Sequence, residues 1–256
     1  MKQNKINYYK DELKDEFSTA KIDPIKIDKN YKYSHNKLWD VLSIIFQNIL
    51  SMPIKYLYAK IKFRIKYVGK EKIKKYKKYG YFVYVNHTQV FGDTFFPSIP
   101  IYPKRNFFIV NPENISMKPF GKIIELLGAI PVPGDKESTK NFLKTIEHRI
   151  QKKQTITIYP EAHIWPYYTK IRPFKDVSFK YPVKIKAPVF CMTNTYQIKR
   201  KNEKKVRIVT YIDGPFFPDE GLNLQDAKKN LRNKVYACMC ERSRNSNVEI
   251  IKYQQI

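Results

Sequence analysis

The chain has 256 residues, with 49 Lys and Arg against 23 Asp and Glu, a formal net charge of +26. Its hydrophobic fraction of 43% and aromatic fraction of 15% exclude a disordered basic tail, and 8 glycines exclude collagen-like and Gly-linker architectures. A folded cation of this kind expects an anionic partner: nucleic acid, an anionic membrane surface or a phosphorylated substrate. The excess of Lys over Arg, with abundant Ile, Asn and Tyr, also matches an AT-rich genome, so part of the charge carries no functional message.

The first residues, MKQNKINYYKDELKDEF, are charged and lack an apolar core, so no secretory signal is expected there. Between Leu38 and Ile54 lies the longest apolar stretch, broken by Asp40, Gln47 and Asn48 and by Pro53. A span needs ~20 predominantly apolar residues. The apolar positions 38, 41, 42, 45, 46 and 49 fall on one helical face, with Tyr56, Tyr58 and a cationic segment behind them. This favours an interfacial amphipathic helix over a core-packed helix or a true span. Residues 1–58 are thus read as an N-terminal tail and interfacial segment, and 59–256 as one domain.

Within that domain the pattern predicts strands over 60–68, 81–85, 106–110, 129–132, 155–159, 189–195 and 207–212. It predicts helices over 117–127, 138–152 with Ser138 as N-cap, and 224–239 with Ala227, Leu231, Val235 and Met239 on one stripe. The run Lys199 to Lys205 reads as a solvated basic loop. Such alternation implies a single α/β domain with a largely parallel mixed sheet flanked by helices. The three cysteines, Cys191, Cys238 and Cys240, lack metal-ligand spacing and read as unpaired thiols in a reducing compartment. No metal is expected, and no P-loop or dinucleotide fingerprint is present.

In such sheets ligands sit beyond the carboxyl ends of the strands. There the chain offers Asn86-His87-Thr88-Gln89-Val90-Phe91-Gly92-Asp93, Pro133-Gly134-Asp135-Lys136 and Pro160-Glu161-Ala162-His163-Ile164-Trp165-Pro166. A His after a buried strand with an Asp nearby suits a base and its orienting partner. Gly92 offers the backbone freedom to bring Asp93 back toward His87. Trp165, Tyr167 and Tyr168 either wall an acyl groove or pack the loop. His35 and His148 read as surface residues.

Together these blocks resemble the glycerolipid acyltransferases, which acylate lysophosphatidic acid or glycerol 3-phosphate. The first family block is Asn-His, four residues, then Asp; Asn86-His87 and Asp93 match it with five. The second is Gly-x-Ile-x-Val before Asp-Arg; Gly128-Ala129-Ile130-Pro131-Val132 fits, with Pro133-Gly134 in place of Asp-Arg. The third is Pro-Glu-Gly-Thr; Pro160-Glu161 fits, with Ala162-His163 in place of Gly-Thr. Ala187-Pro188-Val189-Phe190 matches the fourth, and Pro173-Phe174-Lys175 stands where the family has Phe-Lys. The likeness covers roughly 60–215.

The resemblance implies acyl transfer from a thioester to a lysophospholipid hydroxyl, with no covalent intermediate. His87 would be the general base, Asp93 its orienter, and Glu161 would position the acceptor or the third block. For the acceptor phosphate the nearest cations are Arg172, Lys136 and Lys175, with Asn86 and His163 as further binding candidates. Arg172 leads because a guanidinium matches phosphate bidentately. No cofactor is expected beyond the acyl-coenzyme A or acyl carrier protein thioester. The expected setting is the cytoplasmic face of the cell membrane, held on anionic lipid, with no nucleic-acid partner. A hydrolase using the same pair and a non-enzymatic basic binding protein are the rival classes; the first lacks a Gly-x-Ser-x-Gly elbow and the second any nucleic-acid signature.

Overall fold

The computed structural model describes residues 5–17, 22–33, 36–198 and 205–256. His35 and most of the basic loop at 199–205 lie outside the described residues.

The strands are β1 (Lys5–Tyr9), β2 (Lys66–Val68), β3 (Tyr81–Val85), β4 (Asn106–Val110), β5 (Ala129–Pro131), β6 (Thr155–Ile158), β7 (Val189–Gln197), β8 (Arg207–Phe216) and β9 (Ile251–Gln255). Seven form one sheet in the order β2-β8-β7-β3-β6-β4-β5. Every neighbouring pair is parallel except β7 and β8. The sheet is therefore mixed and mostly parallel, as expected.

Central β3 is buried along its whole length, and its alternation separates two layers. Phe82 and Tyr84 join Ile156 and Ile158 of β6, together with Phe142 and Ile146 of helix Lys136–Gln151 and Leu231, Val235 and Met239 of helix Leu224–Ser243. Tyr81, Val83 and Val85 face Ile73, Ile101, Phe190, Met192 and Ile212. The expected stripe of the C-terminal helix is buried throughout. The N-cap of helix Lys136–Gln151 is Asp135, not Ser138. Asp135 accepts from the Ser138 N–H at 2.7 Å while the Ser138 hydroxyl sits 3.2 Å from the Asp135 N–H, a reciprocal box. The N-cap falls three residues earlier than the spacing alone suggests.

One continuous helix runs from Lys37 to Phe63, long and apolar enough to cross a membrane, with a π-helical turn at Ile45–Leu50. It overruns the expected boundary at 58 and takes residues 60–63 out of the expected strand. The cation–apolar alternation there is deceptive: Ala59 and Phe63, four apart, are the buried positions, and Arg64 ends the helix in the left-handed region. The strand begins only at Lys66.

This helix is turned inside out relative to a core helix. Its inward positions are Ser43, Gln47, Lys55, Ala59 and Phe63. Ser43 Oγ donates to the Leu126 carbonyl at 2.6 Å, and Gln47 Nε2 reaches the same oxygen at 3.2 Å. Leu38, Val41, Ile49, Leu50, Ile54, Leu57 and Ile61 are exposed.

The N-terminal tail is not a separate unit. Parallel β1 and β9 pair across nearly the whole chain length, Lys5 opposite Ile251. Residues 9–17 then lie against the loop after β6. Tyr9 and Phe17 pack on Trp165, and Trp165 Nε1 donates to the Asp15 carbonyl at 2.7 Å.

Candidate active site

Buried β3 delivers Asn86 and His87 at its carboxyl end, beside the carboxyl end of β6. Asn86 fastens this end to β7: its Nδ2 donates to the Asn194 carbonyl at 3.1 Å, and its Oδ1 accepts the Asn194 N–H at 2.8 Å. Asn86 thus holds the strand end and does not line an open site.

His87 Nδ1 lies 2.7 Å from Asp93 Oδ2, despite the added residue between them. The same oxygen accepts the backbone N–H groups of Thr88 and Gln89 at 2.8 and 2.9 Å. Asp93 lies in the first turn of a short helix, Gly92–Phe95, and is 1% exposed. Burial pushes its carboxyl above the ordinary value, against the pull of His87 and the two N–H groups. The Tyr159 ring stacks on the imidazole at 4.3 Å, and its hydroxyl donates to the Asp93 carbonyl. With Nδ1 committed to Asp93, Nε2 makes no hydrogen bond among the described residues, and the ring is partly exposed.

Gly92 is required for a reason other than the one expected. Its φ is not positive. A Cβ there would lie 2.4 Å from the Phe96 ring, so the glycine permits close packing that seats Asp93.

Glu161 joins the first and third blocks. Its Oε2 accepts the His87 N–H and its Oε1 the Arg172 N–H, both at 2.8 Å. The two loops also pair directly: Trp165 N–H donates to the His87 carbonyl at 3.1 Å and Tyr167 N–H to that of Thr88 at 3.0 Å. Glu161 is buried, which raises its carboxyl pKa, while Arg172 pulls it back.

Arg172, expected to meet an acceptor phosphate, is 1% exposed. Its guanidinium donates to the Glu12 carbonyl at 3.1 Å and to the His163 carbonyl, lies 3.7 Å from Glu161 and stacks 4.9 Å from the Trp165 ring. Its contacts are internal: it ties the N-terminal tail to the third block. Among the described residues, exposed Lys136 and Lys175 make no hydrogen bond or ion pair. His163 is partly exposed, with Nδ1 3.0 Å from Glu16.

Trp165 is fully buried, stacked on Tyr253 of β9, and packs the loop. Tyr167 instead lines a cavity of about 220 Å³ with Phe63, Tyr196, Ile208 and Ile250. The Tyr196 hydroxyl reaches back to the first block, donating to Thr88 Oγ1 at 2.9 Å and accepting from Gln89 Nε2 at 2.8 Å. Sequence reasoning missed Tyr196, which lies 107 residues from Gln89 and carries no local signal.

The Acyltransferase family profile matches residues 64–195, just over half the chain, and the chain belongs to that family. Its fold is similar to the crystal structure of the 1-acyl-sn-glycerophosphate (LPA) acyltransferase PlsC from Thermotoga maritima. That match has a TM-score of 0.52 at 16% identity and covers 82% of this chain and 81% of the other. No curated protein matches the chain.

Proposed function

We propose that this protein moves a fatty acyl group from an acyl thioester to the free hydroxyl of a lysophospholipid of the 1-acylglycerol-3-phosphate kind, in phospholipid synthesis. The observation that carries this reading is the 2.7 Å contact between His87 Nδ1 and Asp93, which leaves Nε2 for a substrate. Neutral imidazole takes the hydroxyl proton as oxygen attacks the thioester carbonyl. Asp93 holds the tautomer and stabilises the imidazolium. The carbon–sulfur bond breaks, and the proton passes to the leaving thiolate. Transfer is direct, with no acyl-enzyme.

Glu161 and Arg172 are positioning residues that keep the two loops in register. The acceptor phosphate falls to exposed Lys136, Lys175 or His163 in this reading. The cavity at Tyr167 and Tyr196 suits the acyl chain, because the Tyr196 hydroxyl and the Tyr167 backbone N–H connect it to the His87 loop. A charge of +26 suits either anionic carrier, coenzyme A or acyl carrier protein.

The outward apolar face of Lys37–Phe63 supports binding at the cytoplasmic membrane face. We read it as interfacial and not spanning, because Ser43, Gln47, Lys55 and Ala59 are packed on the domain. Basic residues nearby add about 1 kcal/mol each on anionic lipid.

Mass spectrometry of lipids formed from both donors with a panel of lysophospholipids tests the assignment. A diacyl product dependent on the acceptor is expected. Free fatty acid at the same rate with and without acceptor would make the protein a hydrolase.

A further inference from the structure

The fold brings together two cysteines that are 47 residues apart. Cys191 is fully buried on β7, and Cys238 is half-buried on helix Leu224–Ser243, which packs on that strand. The Cys191 thiol points at Cys238, sulfur to sulfur 3.8 Å. Cys240, two residues on, lies about 200° around the same helix.

Asp213 of β8 completes a group in which both sulfurs and a carboxylate oxygen lie within 4.8 Å of one another. Three donors at that spacing invite a metal, but the charges oppose it. Asp213 already accepts from Lys72 Nζ at 2.6 Å and from Arg242 Nε and Nη2 at 2.7 and 2.8 Å. A divalent cation there would face two fixed positive charges.

The hydrogen bond from Cys191 lowers the Cys238 pKa and Arg242, one turn further along the helix, adds to it, against burial and the Asp213 carboxylate, which raise it. The bond and burial raise Cys191, so the inner sulfur keeps its proton. Cys238 is half-buried and Cys191 fully buried, so an oxidant from solvent meets Cys238 first, with Cys191 behind it as the resolving thiol.

We propose that Cys191 and Cys238 form an oxidisable dithiol that closes reversibly to a disulfide when a hydroperoxide reaches Cys238. The Cys238 thiolate attacks one peroxide oxygen, the O–O bond breaks, hydroxide (or alkoxide, from an organic hydroperoxide) departs and takes up a proton from water, and Cys238 is left as a sulfenic acid. The Cys191 sulfur then attacks the Cys238 sulfur and expels the sulfenic oxygen, which leaves as water with the Cys191 proton. Two electrons pass from the sulfurs to the peroxide, and a dithiol reductant reverses the change. The sulfurs must close to about 2.05 Å. In a reducing compartment such bonds are transient and serve redox sensing. The cross-link would fasten the C-terminal helix to β7 just before Asn247, whose N–H donates to the Tyr196 carbonyl at 3.0 Å.

The test treats the reduced full chain with equimolar hydrogen peroxide, quenches it in acid, alkylates it after denaturation and maps the peptides. A Cys191–Cys238 linked peptide is expected, with Cys240 alkylated and the link lost on adding dithiothreitol. Cys240→Ser should still close, and Cys238→Ser should not. A second measurement needs no variant: native alkylation of the reduced protein at neutral pH should modify Cys238 faster than Cys240. A link through Cys240, sulfinic Cys238 beside free Cys191, or thiols that resist alkylation until a chelator is added would each overturn the proposal.

Discussion

The carboxylate of Glu161 takes the backbone N–H of His87 on one oxygen and that of Arg172 on the other, each at 2.8 Å. The residue from the third block therefore holds the main chain of the first, and the base is positioned through its backbone as well as through Asp93. Removing this acceptor leaves two buried N–H groups and a buried guanidinium without their carboxylate. Glu161→Ala should cost about 3–5 kcal/mol, the usual penalty for breaking a buried pair from one side. Denaturant unfolding measures it, and a loss below about 1 kcal/mol would make the contact incidental.

A second stability effect has a defined pH dependence. Lys55 is 3% exposed, and burial lowers its pKa from 10.5 to about 8. The unfolded chain holds this proton more tightly, so the penalty is full below about pH 8 and is relieved as pH rises toward 10.5. Lys55→Met should stabilise the protein by up to about 3 kcal/mol at pH 7, with the gain shrinking above pH 8. A gain that does not vary between pH 7 and 10 would contradict the assignment.

The third prediction concerns the strained loop. Ala162 has φ +64°, the left-handed region, and follows Pro160-Glu161, where the Pro-Glu-Gly-Thr block of the resemblance has glycine. Ala162→Gly should raise stability by about 0.5–1 kcal/mol without loss of activity. A destabilised variant would mean that the methyl group packs usefully.

Membrane binding is tested on the outer face of the long helix. Leu50, Ile54 and Leu57 are 51%, 62% and 54% exposed, so replacing all three by Ser should leave folding intact. At about 1.5 kcal/mol or more per side chain, partition to anionic vesicles should fall by more than about 100-fold. Equal sedimentation with vesicles would move the membrane contact elsewhere.

Much of this was legible because the signals are local. The unbroken apolar run from Tyr81 to Val85 marks a buried central strand, and the polar residues that end it are necessarily at the sheet edge. Arg172 shows where reading stops: its type suits phosphate, but its partners at Glu12 and Glu161 are set by tertiary contacts. The same holds for β1 and β9, short and largely polar strands whose pairing joins the two ends of the chain. The long helix was visible by periodicity, but which face turns inward depended on Leu126 and on Phe96, packed on Phe63.

The central claim is that His87, oriented by Asp93, takes the acceptor proton during acyl transfer. The direct measurement is the rate of diacyl lipid formation from labelled acyl thioester and lysophospholipid by the wild type, His87→Ala and Asp93→Asn, each shown to be folded. A positioned base contributes about 10²–10⁴-fold, so His87→Ala should lose that much, and Asp93→Asn a similar or smaller amount. A folded His87→Ala protein that forms product at the wild-type rate would contradict the account.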